Sequence, residues 1–258
     1  MIMFSQERCQ AILQLLAERQ RLTTRDLEAL YPASPATMRR DLAALESQGL
    51  LLRVHGGIMH PQALRTELSF ETRSRQQADI KHALADLAAQ QAPAEGCVFI
   101  DGGSTCLQVG LRLLTRPGLL VVTNSIPLVQ AAHSAAARVV CLGGELKQVS
   151  MALVDQLALD WLARLHPDVA FMGATALDPQ AGLFATNLQE CAVKEAAIAR
   201  SSRSVVVAAA AKCNLAAPIN FAPWSAIQAL VTDASLPREA RRALKAQGVE
   251  VSLAELTD

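Results

Sequence analysis

Aromatic residues make up only 3% of this 258-residue chain: two Trp, one Tyr and six Phe. A recognition surface of bases stacked on aromatic rings is therefore not expected. Lysine is scarce too. Only five of the 24 basic residues are Lys, and none precedes Lys81, so any cationic chemistry near the start rests on Arg. Neither charge is in excess, since 24 Lys+Arg balance 24 Asp+Glu. That excludes an overall polybasic coat, although a small nucleic-acid-binding module can sit inside a neutral total. Cys9, Cys97, Cys106, Cys141, Cys191 and Cys213 form no C-x-x-C pair and no cluster with His, and read as small buried thiols in a reducing compartment. His82, His133 and His166 are isolated, and His55 with His60 cannot complete a metal site, so neither metal nor cofactor is expected. G-x-G-x-x-G and Walker A sequences are absent, which argues against dinucleotides and nucleoside triphosphates. No apolar run approaches the ~18 residues that span a bilayer. The N-terminus turns polar at Ser5-Gln6-Glu7-Arg8, too early for a signal peptide, and a soluble cytoplasmic protein is expected.

What is present is a 51% apolar chain, enough for a sizeable core in one large domain or two unequal ones. In residues 6–19, Cys9, Ile12, Leu13 and Leu16 form one helix face, with Ser5 placed to cap it. Thr23 can cap a second short helix, and Asp26 offers a weaker form of the capping box. The strongest helix start follows: Ser34 at the cap and Pro35 at the first helical position. Met38, Leu42 and Leu45 then face inward, Ala36, Thr37 and Arg40 point elsewhere, and Arg39 lies near the boundary; Gly49 marks the end. Leu50 to Ile58 reads as two short strands joined by a glycine turn.

Three helices and a hairpin have the layout of a winged helix-turn-helix. Its third helix presents Thr37, Arg39 and Arg40, residue types suited to guanine edges, thymine methyls and phosphates in a major groove. Ser34-Pro35-Ala36-Thr37-Met38-Arg39-Arg40-Asp41-Leu42, with Leu45-Glu46-Ser47-Gln48-Gly49 and Arg53-Val54-His55-Gly56-Gly57, resembles the signature of the DeoR-type bacterial repressors. These are winged-helix regulators of sugar and nucleoside catabolism. The resemblance implies DNA contacts from Ser34, Thr37, Arg39, Arg40, Arg53, His55 and Gly56.

Residues 1–58 are thus expected as the DNA-binding domain, 59–76 as a linker without sustained periodicity, and 77–258 as a larger domain. Within the linker, Glu71-Thr72-Arg73 is the nearest equivalent of an E-R element in related repressors, and Arg65 or Arg73 can add phosphate contacts. Beyond it, Ile80, Leu84 and Leu87 mark a helix face. Buried strands are expected at Cys97–Ile100, Leu119–Val122, Arg138–Leu142, Val169–Met172, Ser204–Val207, Ile227–Val231 and Val249–Val251. Near-continuous apolar strands alternating with helices imply a mainly parallel sheet covered on both faces. Ligands of such sheets bind outside the carboxyl ends of the strands. Polar and glycine-rich segments fall there: Asp101-Gly102-Gly103-Ser104-Thr105 before a helical stretch at Leu107–Leu114, Thr123-Asn124-Ser125, and Gly143-Gly144. Glycine amides, hydroxyls and a helix N-terminus can hold an anion.

This region also resembles the DeoR-type effector domain, which is similar to the ribose-phosphate isomerase and CoA-transferase fold. Glu190 and Lys194 match its pattern at i, i+4 on a helix, where they would otherwise read as a surface ion pair. Lys212 matches the lysine of a D-x-x-K element. Two departures stand out: Ala209 replaces the Asp of that element, and Asp155 occupies a usual glycine. The resemblance implies a DNA-binding repressor of a sugar or related carbon-catabolism operon, controlled by a phosphorylated sugar. The effector would meet the three strand-end segments together with Glu190, Lys194 and Lys212, and a homo-oligomer, dimer or tetramer, is expected on a double-stranded operator. The alternatives are a sugar-phosphate isomerase with Glu190 as base and a regulator that has lost its effector response.

Overall fold

The computed structural model describes residues 5–19, 21–31, 33–54, 57–59 and 68–255. They fall into two compact units. The first comes from residues up to Glu67 together with Asn214–Ala216, and the second from Leu68–Cys213 and Ala217 onward.

The first unit runs α1 (Ser5–Arg19), β1 (Arg21–Thr23), α2 (Thr24–Leu30), α3 (Pro35–Ser47), β2 (Leu52–Val54) and β3 (Gly57–Met59). Its core is small and apolar: Ile12, Leu16, Leu22, Leu27, Met38, Leu42, Leu45, Leu51 and Ile58 are buried together with Tyr31, whose hydroxyl donates to Ala11 O at 3.1 Å. The capping box of α2 is complete, with Asp26 N donating to Thr23 Oγ1 and Thr23 N to Asp26 Oδ2. Ser34 caps α3, with Pro35 in its first turn. At the other end Gly49 has φ +70°, and the bonds Gly49 N to Glu46 O and Leu50 N to Leu45 O close a Schellman motif. Two details depart from the sequence reading. Ser5 lies inside α1, and its hydroxyl donates to Asp41 Oδ1 at 2.7 Å instead of capping the helix. The hairpin also gains a third strand, β1, giving the order β1-β3-β2, all antiparallel. Gly57 makes that pairing possible, since a Cβ there would stand 2.2 Å from Leu22 O.

The second unit begins earlier than expected. Residues 70–75, within the expected linker, form α4 (Phe70–Arg75); Phe70 is buried and its N–H donates to Val149 O at 2.8 Å. Six residues are too few for a periodic signal. There follow α5 (Ala78–Ala89), β4 (Gly96–Ile100), α6 (Ser104–Leu113), β5 (Leu119–Thr123), α7 (Ile126–Ala131), β6 (Arg138–Cys141), β7 (Glu145–Lys147), β8 (Ala152–Val154) and α8 (Gln156–Leu162). The chain continues through β9 (Val169–Met172), β10 (Ala176–Asp178), β11 (Gly182–Ala185), α9 (Leu188–Arg200), β12 (Arg203–Val207), β13 (Ile219–Ala222), β14 (Ala229–Asp233), α10 (Arg238–Ala246) and β15 (Glu250–Ala254). Seven strands, in the order β15-β14-β12-β9-β4-β5-β6, make a wholly parallel sheet. Successive residues serve opposite faces. Val98, Ile100, Val121, Phe171, Val205 and Val207 pack with Leu84, Val109 and Leu113 of α5 and α6. Phe99, Val122, Ala170, Met172 and Val206 pack with Leu162, Val193 and Leu244 of α8, α9 and α10. Double-sided burial is why these strands lack polar alternation.

Two additions were not expected: the antiparallel ribbon β7/β8 and the small antiparallel sheet β10-β11-β13. The cysteines are less uniformly buried than expected, since Cys141 is exposed on the edge strand β6. All six are free thiols, and burial pushes each of them up in pKa. Asp155, the departure from glycine, has φ +90° and ψ −179° and caps α8 by accepting from Leu157 N at 2.9 Å. That backbone region is essentially reserved for glycine and costs other residues about 1–3 kcal/mol, whereas glycine is only a few tenths of a kcal/mol poorer as a cap. Asp155→Gly should therefore stabilise the second unit by about 1 kcal/mol, which a urea titration followed by tryptophan fluorescence will register as a higher midpoint.

Candidate DNA interface and effector site

In the first unit, Arg39 and Arg40 are exposed on α3, and Arg53 is exposed on β2. Ser34 and Thr37 are engaged with each other, their hydroxyls 2.8 Å apart and Thr37 N donating to Ser34 Oγ at 3.2 Å. That fixes the first turn of α3. His55 and Gly56 lie outside the described residues. A residue the sequence reading left without a role is Asp41, next to Arg40. It is buried and accepts from Ser5, from Arg8 Nε at 2.8 Å and from Arg8 Nη2 at 2.5 Å, pinning α1 to α3. α3 is held by a buried fork of charge.

In the second unit the chain reverses direction along the sheet between β4 and β9: β5 and β6 extend one way, β12, β14 and β15 the other. A crevice at the carboxyl ends forms at such a switch point. Asp101 follows β4, is buried, and bridges the switch: its Oδ2 accepts from Gly173 N, after β9, at 2.9 Å and from Lys194 Nζ of α9. Lys194 also donates to Gly173 O at 3.2 Å and lies 5.6 Å from the centre of the Phe221 ring. Burial opposes its charge, but Asp101 and then Glu190 outweigh burial and raise its pKa. Lys194 is thus no surface partner of Glu190; it is the buried clamp of Asp101. Glu190 stands half-buried in the first turn of α9, behind the Asn187 cap.

Ser104 and Thr105 open α6, so the helix begins before the stretch expected from sequence. Gly103 provides no side-chain cap, and nothing lies within 4 Å of where its Cβ would stand. The first turn of α6 thus lacks a side-chain cap at its Ncap residue, Gly103, and an uncapped helix N-terminus is where an anion can be received. Gly102, by contrast, is packed: a Cβ there would meet Ala152 Cβ at 2.5 Å.

The Thr123-Asn124-Ser125 segment divides. Thr123 Oγ1 donates to Ile100 O at 2.7 Å and accepts from Ser125 N, while Ser125 caps α7. Both hydroxyls are engaged in the scaffold. Asn124 donates through Nδ2 to Leu153 O at 3.1 Å, leaving its buried Oδ1 without a hydrogen-bond donor among the described residues. Gly143 and Gly144 lie at the end of β6, two strands from β4, where they pack against Leu157 and Val154. Lys212 completes the set. Its Nζ donates to Ala174 O, and its turn is held by Ala210 N donating to Asp233 Oδ2 at 2.8 Å. Burial, then the charges of Arg73, Lys194 and Lys81, lower the Lys212 pKa to about 8. The buried acid Asp233 and the cations Arg73 and Lys81 were not singled out for this site, because nothing in local spacing ties them to it.

A winged-helix unit joined to a doubly wound unit defines a DNA-binding regulator with a sensor domain. The DeoR-like helix-turn-helix domain matches residues 8–63 and the DeoR C terminal sensor domain residues 76–234. The chain belongs to the DeoR family. It is 30% identical to the HTH-type transcriptional regulator GlpR of Haloferax volcanii, over 96% of this chain and 98% of that one. It is 27% identical to the glycerol-3-phosphate regulon repressor of Escherichia coli, again over 96% and 98% of the two chains. Among solved structures, ribose 5 phosphate isomerase A from Neisseria gonorrhoeae aligns at 16% identity over 53% of this chain and 54% of that one, with a TM-score of 0.39.

Proposed function

We propose that this chain is a cytoplasmic transcriptional repressor of a sugar or related carbon-catabolism operon, released from or recruited to its operator by a phosphorylated sugar. The observation that carries the DNA half is Arg39 and Arg40 exposed together on a capped helix whose opposite face is buried. The sensor half is supported by the α6 N-terminus without a side-chain cap and by Lys212, donors for a phosphate, and by Asn124 Oδ1, which has no donor among the described residues and could accept from a sugar hydroxyl. A regulator is favoured over an isomerase because the relatives aligned across both units carry regulator names and Ala209 leaves the D-x-x-K element without its acid. One winged helix buries too little surface for tight specific binding, so a symmetric homo-oligomer on two or more half-sites belongs to this reading.

The test is operator binding. With duplexes selected from a random pool, Arg40→Ala should lose about 1–3 kcal/mol of binding and relax specificity at one base position. Arg39→Ala should weaken binding across sequences. Unchanged affinity in both variants would remove α3 from the interface.

Lys212 makes effector affinity pH-dependent. Its folded pKa lies below the ordinary value, so the ammonium is present below about 8 and lost as pH rises through it. Affinity for a phosphate dianion should fall across that window, because binding favours the charged lysine. In Lys212→Arg, whose guanidinium stays charged, the fall should disappear. Calorimetry between pH 7 and 9.5 on both proteins gives the answer, and parallel profiles would refute it.

A further inference from the structure

We propose that β6, an edge strand of the parallel sheet, pairs antiparallel with β6 of a second copy of this chain, so that the two sheets run on across a twofold axis. The inference assigns a face to the homo-oligomer of the reading above and rests on that part of it. β6 has β5 on one side and no strand on the other. Along a paired strand, alternate residues turn their backbone groups to the same neighbour. Leu142 N donates to Thr123 O of β5, so Arg138, Val140 and Leu142 serve β5, while Val139 and Cys141 turn N–H and C=O outward. Those outward groups have no backbone partner among the described residues. Exposed edges are commonly blunted by lysine, proline, a bulge or a covering element. β6 reads Arg-Val-Val-Cys, keeps unbroken register with β5, and leaves Val140 and Cys141 exposed. β15, the opposite edge, opens on Glu250, which is ion-paired to Arg203, and its next three residues are half-buried.

A single antiparallel register satisfies all the outward groups of two β6 strands. It sets Val139 against Cys141 of the second copy and Cys141 against Val139 of the second copy, each pair exchanging two hydrogen bonds, with Val140 facing its own counterpart on the axis. The side chains agree with that register. Arg138, the one charge of the strand, stands opposite a leucine rather than another arginine, and two valines meet at the non-hydrogen-bonded pair, where side chains come closest. An axis through the valine pair runs normal to the sheet, so both copies keep the same face on the same side. Val140 shares its face with Leu142 and with Val122 of β5, the face that Ala158 and Leu162 of α8 cover. There α8 leaves Leu157 and Trp161, one turn apart, 51% and 49% exposed. Leu157 reaches the end of β6, lying 2.7 Å from where a Cβ on Gly143 would stand. Leu146 of β7 is exposed as well. Apolar side chains that include a tryptophan have the composition of an interface core. The edge beside them needs donors and acceptors at its own spacing, which a second β6 supplies.

The experiment is disulfide trapping in the full chain, with Cys141→Ser in every variant so that this exposed thiol does not react. Facing residues of a non-hydrogen-bonded pair have Cα atoms about 4.5 Å apart, inside the range of about 4.4–6.8 Å that a disulfide spans. Under mild oxidation Val140→Cys should therefore form a covalent dimer about tenfold or more faster than Arg138→Cys, whose counterpart lies four residues out of register. Val140→Lys sets like charges opposite each other; its mass in light scattering should fall to half or less, with the tryptophan unfolding midpoint reporting that the unit stays folded. Trapping at Val140 no faster than at Arg138, or an unchanged mass in folded Val140→Lys, overturns the inference and leaves a parent oligomer assembled through another face. A parent chain that is monomeric at concentrations where it binds the operator ends both the inference and the oligomer it rests on.

Discussion

Asp41→Ala is expected to destabilise the winged-helix unit by about 3–5 kcal/mol, enough to leave much of it unfolded. The change removes a carboxylate that is itself buried and leaves the Arg8 guanidinium, 5% exposed, without the fork that neutralises it. Loss of that charged fork accounts for most of the cost. The double variant Arg8→Met with Asp41→Leu should recover the greater part, because replacing a buried pair by apolar residues of similar volume is often neutral. The two units can be watched separately. Tyr31, the one tyrosine, lies in the first unit, and both tryptophans, Trp161 and Trp224, lie in the second. In Asp41→Ala the tyrosine near-UV signal should be lost at lower urea while tryptophan fluorescence keeps its midpoint. A midpoint shift worth less than about 1 kcal/mol would show the pair to be incidental.

Lys194→Met should produce the converse pattern, with the tryptophan transition falling by about 3–5 kcal/mol and the tyrosine signal unchanged. The substitution strands Asp101, 3% exposed, with Gly173 N as the donor remaining to its Oδ2. Asp101 also bridges the strand ends at the switch point, so the same variant should lose anion binding at α6 through lost geometry. Adding Asp101→Asn removes the stranded charge and should restore part of the stability. If Lys194→Met unfolds like the parent chain, Asp101 does not need its clamp and the geometry of the crevice has another source.

The five inner strands of the parallel sheet were legible because they are buried on both faces and read as apolar runs; the edge strands β6 and β15, expected as buried, are largely exposed and half-buried respectively, because each has a neighbour on one side only. α3 was legible because its cap, its proline and its terminal glycine all agree. Short elements were not. β1 offers only Arg-Leu-Thr, and β7, β8, β10 and β11 have three or four residues each, below the length at which alternation can be told from chance. The proposed interface residues on α3 were named from the motif, yet Asp41 within that motif had no visible role, since its partners Ser5 and Arg8 lie 36 and 33 residues away. The proposed effector site shows the same limit more strongly. At the β4/β9 switch point stands an ion pair between residues 93 apart. Spacing paired Lys194 with Glu190 on one helix, and only the sheet order shows that Asp101 claims it. Thr123 and Ser125 look like ligand hydroxyls in a polar strand-end segment, but a buried strand end must satisfy its own backbone first, and these two do that.

The central claim, a DNA-binding unit governed by an anion bound at the β4/β9 switch point, is tested most directly by fluorescence anisotropy of a selected operator duplex titrated with the full chain, with and without sugar phosphates at saturating concentration. An effector can act only through different affinities for two arrangements of the protein. The account predicts that at least one sugar phosphate changes operator affinity by about 5- to 150-fold, the ordinary range of such coupling, and that Lys212→Met abolishes the change while binding the operator as tightly as the unliganded parent. Operator affinity that no sugar phosphate alters, in a protein that binds the duplex normally, would contradict it.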